Sequence, residues 1–245
     1  MRKYIFLAVI ILFALALRIY TFSGFVGLDD AEYARMANNL LHGKTYIGSY
    51  AGPPVFQVRP GIIIPTAVSF KLFGINKYSM VLYPFILSLL SILLVYFCAD
   101  YFFGYRAGLI AALLWSVLPV DLSYNATKLL PDLPSAFYAS LAVVTILIFI
   151  RKQTENKISI FLGGVLAGLF FGISWLTKAS VTMLVPFCIF LMFITLKENK
   201  EKYLIFWPGV ALGSLSVLFF EMAVYYNSTG DWLYRLHETE RNYLS

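Results

Sequence analysis

The chain has 245 residues, of which 60% are hydrophobic and only 13% are charged. Because a soluble domain usually carries about 25% charged residues, this composition excludes an ordinary soluble protein and indicates a polytopic membrane protein. The net charge of +6 comes from basic residues between apolar runs. It is therefore better explained as loop charge that orients the chain, and no nucleic-acid partner is predicted.

The first apolar run, residues 4–22, follows Arg2 and Lys3. At about 1.5 Å per residue, its length nearly matches a hydrocarbon core of about 30 Å. No small-x-small cleavage site follows the run, which favours a span or signal anchor over a cleaved signal peptide. Arg18 lies near the far end, where its aliphatic stem would let the guanidinium reach the interface.

Later apolar runs bring the total to about seven spans in an all-α polytopic membrane fold. They are residues 78–103, 107–122, 134–150, 158–175, 179–196 and 203–226. Close helix packing is predicted at small residues within them, namely Gly163, Gly164, Gly168 and Gly172. Cys98 and Cys188 lie in separate runs, without the spacing of a metal site or a disulfide framework.

The loop after the first span, residues 28–77, is predicted to contain two interfacial helices. The first begins at Asp29, with Tyr33, Ala37, Leu40 and Leu41 on its apolar face. Asp29 and Glu32 have the spacing of a capping box, and Gly43 supplies a stop. Residues 62–70 are apolar but too short to cross a bilayer, so they are predicted to be the second interfacial or re-entrant helix.

This choice sets the topology, because lysine and arginine in short loops favour the cytoplasm. If residues 62–70 do not span, the amino terminus and the other short basic segments all fall inside. These segments contain Arg106, Arg151, Lys152, Lys157, Lys197, Lys200 and Lys202. The amino terminus is therefore predicted to be cytoplasmic, with loops 28–77, 123–133 and 227–245 on the extracytoplasmic side.

Acidic residues are concentrated on that predicted outer side. Asp29, Asp30 and Glu32 follow the first span, and Asp132 opens the fourth. One interpretation is structural, since carboxylates are favoured at helix amino termini. The alternative is catalytic, because a carboxylate there can take a proton from a hydroxyl or amine arriving from water. A divalent cation on Asp29, Asp30 and Asp132 is a further alternative, although no complete ligand set is visible.

Two cations, Arg59 and Lys178, are also assigned to the outer membrane surface. They could simply extend toward lipid headgroups. Alternatively they bind a phosphate at the bilayer surface, with arginine as a two-point ligand and lysine as a point charge. Glu221 lies inside the last span, where an acid is a functional candidate unless it is merely hydrated.

Taken together, these segments resemble the GT-C glycosyltransferases, specifically the family 39-like group of protein O-mannosyltransferases and lipid A aminoarabinose transferases. Asp29-Asp30 leading into residues 33–43 is similar to the first-loop acidic motif of that group. Arg59-Pro60-Gly61 through Phe73-Gly74 resembles its basic-Pro-Pro segment, with Gly61 where a second proline is common. Asp30 likewise stands where glutamate is common.

The resemblance continues in the same order along the rest of the chain. Asp132 in Leu-Pro-Asp-Leu-Pro resembles the second-loop acid, and Leu176-Thr177-Lys178 resembles a Thr-Lys turn. Thr229-Gly230-Asp231 resembles the start of a Thr-Gly-Asp-Pro loop, with Trp232 where proline is common. Residues 1–245 therefore look like a single GT-C-like transmembrane module, with loop 227–245 cut short relative to such enzymes.

The resemblance implies transfer of a sugar from a polyprenyl-phosphate carrier to an acceptor on the extracytoplasmic face, with inversion. Asp29 would be the base, Asp132 would orient the acceptor or the base, and Asp30 and Glu32 would support them. Arg59 and Lys178 would bind the donor phosphate. The implied partners are the lipid-linked donor, a lipid, glycan or protein acceptor, membrane lipids and a second subunit that supplies missing helices. The implied location is a prokaryotic plasma membrane, and relatives differ in their need for a divalent cation.

Two other classes of function remain open at this stage. A catalytically silent module or scaffold subunit would have the same spans and motifs. A lipid or sugar transporter would also be polytopic, although transporters usually show internal repeats and polar residues near the middle of the membrane.

Overall fold

The computed structural model describes residues 2–24, 27–44, 58–151 and 156–244. These described residues form helices, turns and irregular chain, with no strand. The helices are α1 (Arg2–Tyr20), α2 (Leu28–Leu41), α3 (Pro60–Phe73), α4 (Lys77–Phe103), α5 (Tyr105–Ser116), α6 (Asp132–Arg151), α7 (Lys157–Thr177), α8 (Val185–Glu198), α9 (Lys200–Thr229) and α10 (Tyr234–Leu244). A π-helical turn, Asp121–Asn125, follows α5, and a 3₁₀ helix, Ala179–Leu184, precedes α8.

Within the described ranges, six helical segments are long and apolar enough to cross a membrane. They are Lys3–Tyr20, Lys77–Phe103, Asp132–Arg151, Lys157–Thr177, Ala179–Glu198 and Lys200–Thr229. The segment predicted as a seventh span, residues 107–122, is broken rather than continuous: α5 ends at Ser116, and helical structure resumes at residues 119–120 and in the π-helical turn Asp121–Asn125. Helix α5 has 12 residues, about 18 Å at 1.5 Å per residue. It ends before Pro119, which has no backbone donor and restricts the residue before it.

The shorter helix α3 agrees with the prediction for residues 62–70. Its 14 residues rise about 21 Å, less than the hydrocarbon thickness of about 30 Å. It is apolar, but it is too short to count among the six spans. Its length therefore supports the topology in which the chain does not cross the membrane at this point.

Asparagine side chains begin three of the long helices. Asn76 accepts hydrogen bonds from the backbone N–H groups of Tyr78 and Ser79 at 2.9 and 3.0 Å, in a complete capping box before α4. Asn156 and Asn199 cap α7 and α9 with one hydrogen bond each, accepted from the backbone N–H groups of Ser159 and Lys202 at 3.1 Å. These short polar side chains satisfy backbone donors that a helix leaves without partners at its amino terminus.

Helix α2 begins one residue earlier than predicted, and the expected capping box is absent. Gly27 occupies the N-cap without a side-chain hydrogen bond, and Glu32 instead pairs with Arg35 at 2.9 Å. The end of the helix is as predicted, with Gly43 in the left-handed region at φ +69°. Of the four residues predicted on its apolar face, Tyr33 and Ala37 are buried, whereas Leu40 and Leu41 are half-buried; Met36 is buried as well.

The chain divides into two compact units. The first contains residues 1–46 and 62–134, and the second contains residues 47–61 and 135–245. In the first unit, α1, α4 and α5 pack around a core of Leu7, Ala14, Ile92, Tyr96 and Ala112. The core of the second unit is formed by Ile146, Ile160, Ala167, Tyr203, Phe206 and Trp207.

The second unit depends on close packing of α7 against α9. A Cβ atom on Gly164 would lie 2.2 Å from the carbonyl oxygen of Phe206, and one on Gly213 would lie 2.2 Å from that of Val165. Only glycine permits backbones to approach so closely. The glycine spacing in residues 163–172 thus predicted the helix packing correctly.

Candidate functional site

The three acids after the first span have different environments at the start of α2. Asp29 is exposed in the first turn, whereas Asp30 is buried, with 1% of its surface accessible. Glu32 is half-buried and accepts two hydrogen bonds from the Arg35 guanidinium, at 2.9 and 3.0 Å. Of the three, Asp29 is therefore the carboxylate most accessible to solvent.

Asp132 is the first residue of α6 and is also exposed. The chain that leads to it is buried at Leu129, Leu130 and Pro131, and Leu133 follows as a buried residue. The carboxylate thus stands at a helix amino terminus, where the macrodipole favours negative charge, on a segment anchored by its apolar neighbours. Asp29 and Asp132 belong to the same unit.

The predicted divalent-cation alternative gains no support from the described residues. No three histidine, cysteine, aspartate or glutamate side chains in that part of the chain are grouped as ligands for one metal ion. Asp29, Asp30 and Asp132 do not form such a group.

The two predicted phosphate ligands lie in the second unit, on backbone segments that meet. A Cβ atom on Gly61 would be 2.4 Å from Oγ1 of Thr177 and 2.9 Å from the carbonyl carbon of Leu176. Arg59 precedes this contact by two residues, and Lys178 follows Thr177 directly. Close approach of the two backbones therefore holds the Arg59 and Lys178 segments together.

Lys178 is also set apart from the helices on either side of it. Its backbone N–H donates to the carbonyl of Ser174 at 2.9 Å, and its φ of −157° is extended. The residue thus separates α7 from the 3₁₀ helix. Its half-buried side chain follows the last residue of α7, a helix long and apolar enough to cross a membrane.

Glu221 lies in a buried polar cluster that local sequence patterns do not predict. Arg235 forms an ion pair with Glu221, with its Nε 2.9 Å from Oε1. Trp175 donates from Nε1 to Oε2 at 2.8 Å, and the hydroxyl of Tyr225 donates to Oε1 at 3.3 Å. The Arg235 guanidinium also lies 4.9 Å from the Trp175 ring centroid. Glu221 is therefore paired rather than hydrated, and it connects α7, α9 and α10.

The Thr-Gly-Asp segment forms the turn between α9 and α10. Gly230 ends α9 in the left-handed conformation at φ +75°. Asp231 then accepts a hydrogen bond from the backbone N–H of Leu233 at 2.8 Å, and its Oδ2 lies 2.7 Å from Nδ1 of His237. The hydrogen bond with His237 holds the pKa of the Asp231 carboxyl below its ordinary value.

The expectation for Arg18 was wrong. Instead of reaching the interface, its side chain is fully buried and forms an ion pair with Asp121, which is also fully buried. No local pattern indicated this pair, because its members are 103 residues apart. A basic residue one turn inside a span is compatible with either arrangement.

Comparison with known proteins agrees with this architecture. One solved structure that is similar to this chain is ArnT from Cupriavidus metallidurans in the apo state, with 19% sequence identity and a TM-score of 0.56. The match covers 87% of this chain and 42% of the ArnT chain. This chain thus spans less than half the length of ArnT and shares its polytopic GT-C fold. No curated protein sequence matches.

A protein family also matches most of the chain. The dolichyl-phosphate-mannose-protein mannosyltransferase family corresponds to residues 60–226. This range includes Asp132 and Lys178 and begins directly after Arg59. The protein is an integral membrane protein, and it belongs to the dolichyl-phosphate-mannose-protein mannosyltransferase family.

Proposed function

We propose that the protein transfers a sugar from a polyprenyl-phosphate carrier to an acceptor at the extracytoplasmic face. The observation that carries the proposal is the contact of Gly61 with Thr177, which joins the segments of Arg59 and Lys178 in one unit. Two cations on adjoining backbones, beside the end of a membrane span, suit a phosphate attached to a membrane-embedded lipid tail. Family membership supports the same reaction class.

Arg59 and Lys178 have complementary tasks in this proposal. The guanidinium binds two phosphate oxygens in a fixed plane, whereas the ammonium adds a mobile point charge. Both charges stabilise the negative charge that grows on the leaving phosphate as its bond to the sugar breaks. Loss of one such electrostatic contact typically costs on the order of 10² to 10³ in rate.

Asp29 is proposed as the general base. An acceptor hydroxyl oxygen attacks the anomeric carbon from the side opposite the phosphate, and the Asp29 carboxylate takes the hydroxyl proton. The bond between the anomeric carbon and the phosphate oxygen breaks, and polyprenyl phosphate leaves with that electron pair. The product is a glycoside of inverted configuration. Exposure of Asp29 supports this role, because the acceptor must reach it from water.

Asp132 and the other acids have supporting roles. Asp132 is proposed to accept a hydrogen bond from the acceptor and orient it toward the sugar. Asp30 and Glu32 hold the start of α2, since one is buried and the other pairs with Arg35. The acceptor class is a hydroxyl of a lipid, glycan or protein, and no step of the proposal passes through a metal ion.

The test is transfer in membrane vesicles that contain the protein. Vesicles are incubated with radiolabelled polyprenyl-phosphate sugars, and label in lipid, glycan and protein fractions is measured. The Asp29→Asn variant is expected to lose at least about 10²-fold in rate. Glu201→Gln is the matched control, because Glu201 is also an exposed acid in the first turn of a helix. Glu201→Gln should retain full activity, because it removes only a favourable interaction with a helix macrodipole, whereas Asp29→Asn also removes the proposed base.

Two outcomes would overturn the proposal. One is absence of transfer from every donor, and the other is transfer that Asp29→Asn leaves unchanged. A silent scaffold predicts the first outcome. A transporter predicts movement of the lipid-linked sugar across the vesicle membrane without any new glycoside.

A further inference from the structure

The ion pair of Arg18 and Asp121 lies at the centre of a buried network in the first unit. Arg18 donates from Nε to the hydroxyl of Ser88 at 2.6 Å, and that hydroxyl donates to Oδ2 of Asp121 at 2.5 Å. The guanidinium also donates from Nη1 to the backbone carbonyls of Ala14 and Ser116, at 3.1 and 3.3 Å. The network therefore ties α1, α4, the end of α5 and the π-helical turn to one another.

Stability alone does not account for this network. Burying two charges removes their hydration, and replacing a buried ion pair by packed apolar residues is often neutral or stabilising. The pair does differ from apolar contacts in geometry, because directed hydrogen bonds hold the guanidinium against Ser88, Ser116 and Asp121 in one arrangement. Such a network fixes position rather than merely contributing free energy.

The two charged residues of the network precede the two exposed carboxylates in the chain, Arg18 before Asp29 and Asp121 before Asp132. After Arg18, the chain makes a second connection to the π-helical turn, because the hydroxyl of Thr21 donates to the carbonyl of Leu122 at 3.2 Å. Phe22 then stacks on Tyr78 with ring centroids 5.3 Å apart. The chain enters α2 and Asp29 a few residues later.

The other branch leads from Asp121 to Asp132. The backbone N–H of Ala126 donates to the carbonyl of Asp121 at 2.9 Å. Ala126, Thr127 and Leu129 are fully buried, so the segment between the turn and α6 is packed rather than loose. Displacement of the ion pair would thus move the starting points of both carboxylate segments.

We propose that Arg18 and Asp121 are positioning residues, which fix the segments of Asp29 and Asp132 relative to one another within the first unit. The inference rests on the proposed function for the roles of these two carboxylates. It adds that the geometry of the two carboxylate segments is set by an ion pair buried between α1, α4 and the π-helical turn.

The test replaces the whole network by apolar side chains, as Arg18→Met/Ser88→Ala/Asp121→Leu. A single change would leave a buried charge without its partner and endanger folding, whereas the triple variant leaves no charge stranded. We expect folded protein with unchanged thermal stability and a kcat lower by on the order of 10 to 10²-fold, because small misplacements of reacting groups are costly. KM for the lipid donor should stay unchanged, since Arg59 and Lys178 belong to the other unit.

Asp100→Asn is the matched control. It removes the Lys3–Asp100 ion pair of 3.3 Å, which joins α1 to α4 near the other end of α1. This variant should keep the full kcat. Wild-type kcat in a folded triple variant would overturn the inference, and so would an equal loss in the control.

A second measurement does not depend on activity. Nitroxide labels are placed at Leu28→Cys and Asp132→Cys in a chain without Cys98 and Cys188, and the distance distribution is measured by pulsed electron resonance. The triple variant should broaden the distribution, and Asp100→Asn should not. Equal widths would overturn the inference even if the wild-type chain transferred no sugar, an outcome that would count against the proposed function only.

Discussion

Gly61 lies against the last turn of α7 so closely that an added Cβ atom would be 2.4 Å from Oγ1 of Thr177 and 2.7 Å from its backbone nitrogen. In the basic-Pro-Pro segment that this stretch of sequence resembles, a second proline is common at this position. The contact gives a reason for glycine here, because a Cβ atom would push the backbone of Gly61 away from Thr177. The same contact joins the segments of the two proposed phosphate ligands.

The first prediction is that Gly61→Ala destabilises the protein, because the close contact and helix propensity change the free energy of unfolding in opposite directions. Propensity alone predicts a gain of about 0.5–1 kcal/mol, since alanine is the better helix former. The close contact predicts a loss of about 1–3 kcal/mol instead. Thermal unfolding in detergent distinguishes the two, and KM for the donor should rise in parallel.

Gly27→Ala serves as the control, because a Cβ atom there meets nothing within 4 Å and the backbone φ of −141° is ordinary. Its cost should stay below about 1 kcal/mol, the range of a changed N-cap. A Gly61→Ala protein more stable than the wild type would show that the contact is unimportant.

The second prediction concerns Glu221, whose carboxylate holds Arg235 of α10 against α9. Glu221→Gln leaves a buried guanidinium without its charge partner, so the variant should lose about 3–5 kcal/mol, as expected for breaking a buried pair. The loss should be visible as faster proteolysis of α10 and a lower melting temperature.

Asp100→Asn is the comparison for this prediction, because it breaks the pair with Lys3, in which neither side chain is buried: Lys3 is 37% exposed and Asp100 is 23% exposed. A pair that is accessible to solvent contributes about 0–1 kcal/mol. If the two variants lose the same stability, burial of the Glu221 pair has no special role.

The features that the sequence predicted correctly are local ones. Local spacing correctly predicted the α7 glycine face, burial of Tyr33 and Ala37, and the end of α2 at Gly43. Each of these depends on residues within a few helical turns, where periodicity and backbone preference act directly.

Local sequence patterns could not predict ion pairs between residues that are far apart in the chain. Partners for Arg18 and Glu221 come from segments whose positions depend on the packing of several helices, so their burial could not be derived from local patterns. The capping box failed for a related reason. Arg35 supplied a stronger partner for Glu32 than the backbone of Asp29 could offer.

The third prediction concerns pH and the turn between α9 and α10. The hydrogen bond with His237, with a further contribution from the Leu233 N–H group, keeps the pKa of Asp231 below its ordinary value. A depressed carboxyl pKa stabilises the fold at pH values above the unfolded value of about 3.9. That contribution is lost as the pH falls through the lower, folded value.

Carboxyl ¹³C shifts measured against pH report this pKa directly. In His237→Ala, the Asp231 pKa should rise toward its ordinary value, while the hydrogen bond from Leu233 keeps part of the depression. Thr239→Ala is the control, because the Thr239 hydroxyl donates to the Arg235 carbonyl at 2.6 Å and not to Asp231. An Asp231 titration that is the same in all three proteins would rule out the contact with His237 in solution.

The last prediction compares two glycines of α7 that face different kinds of neighbour. A Cβ atom on Gly168 would lie 2.1 Å from the backbone carbonyl oxygen of Val210, which cannot move without α9. A Cβ atom on Gly163 would lie 2.3 Å from Cζ of Phe149, at the tip of a side chain that can turn aside. Both positions gain the same helix propensity from alanine.

Gly168→Ala should therefore destabilise the protein by about 1–3 kcal/mol, since the backbones of α7 and α9 must separate. Gly163→Ala should cost clearly less, because rotation of one ring relieves its contact and alanine favours the helix. Thermal unfolding of the two variants in the same detergent measures the difference. Equal melting temperatures would mean that the α7–α9 interface adapts to an added methyl group as easily as a side chain does, and that backbone contact does not hold the second unit together.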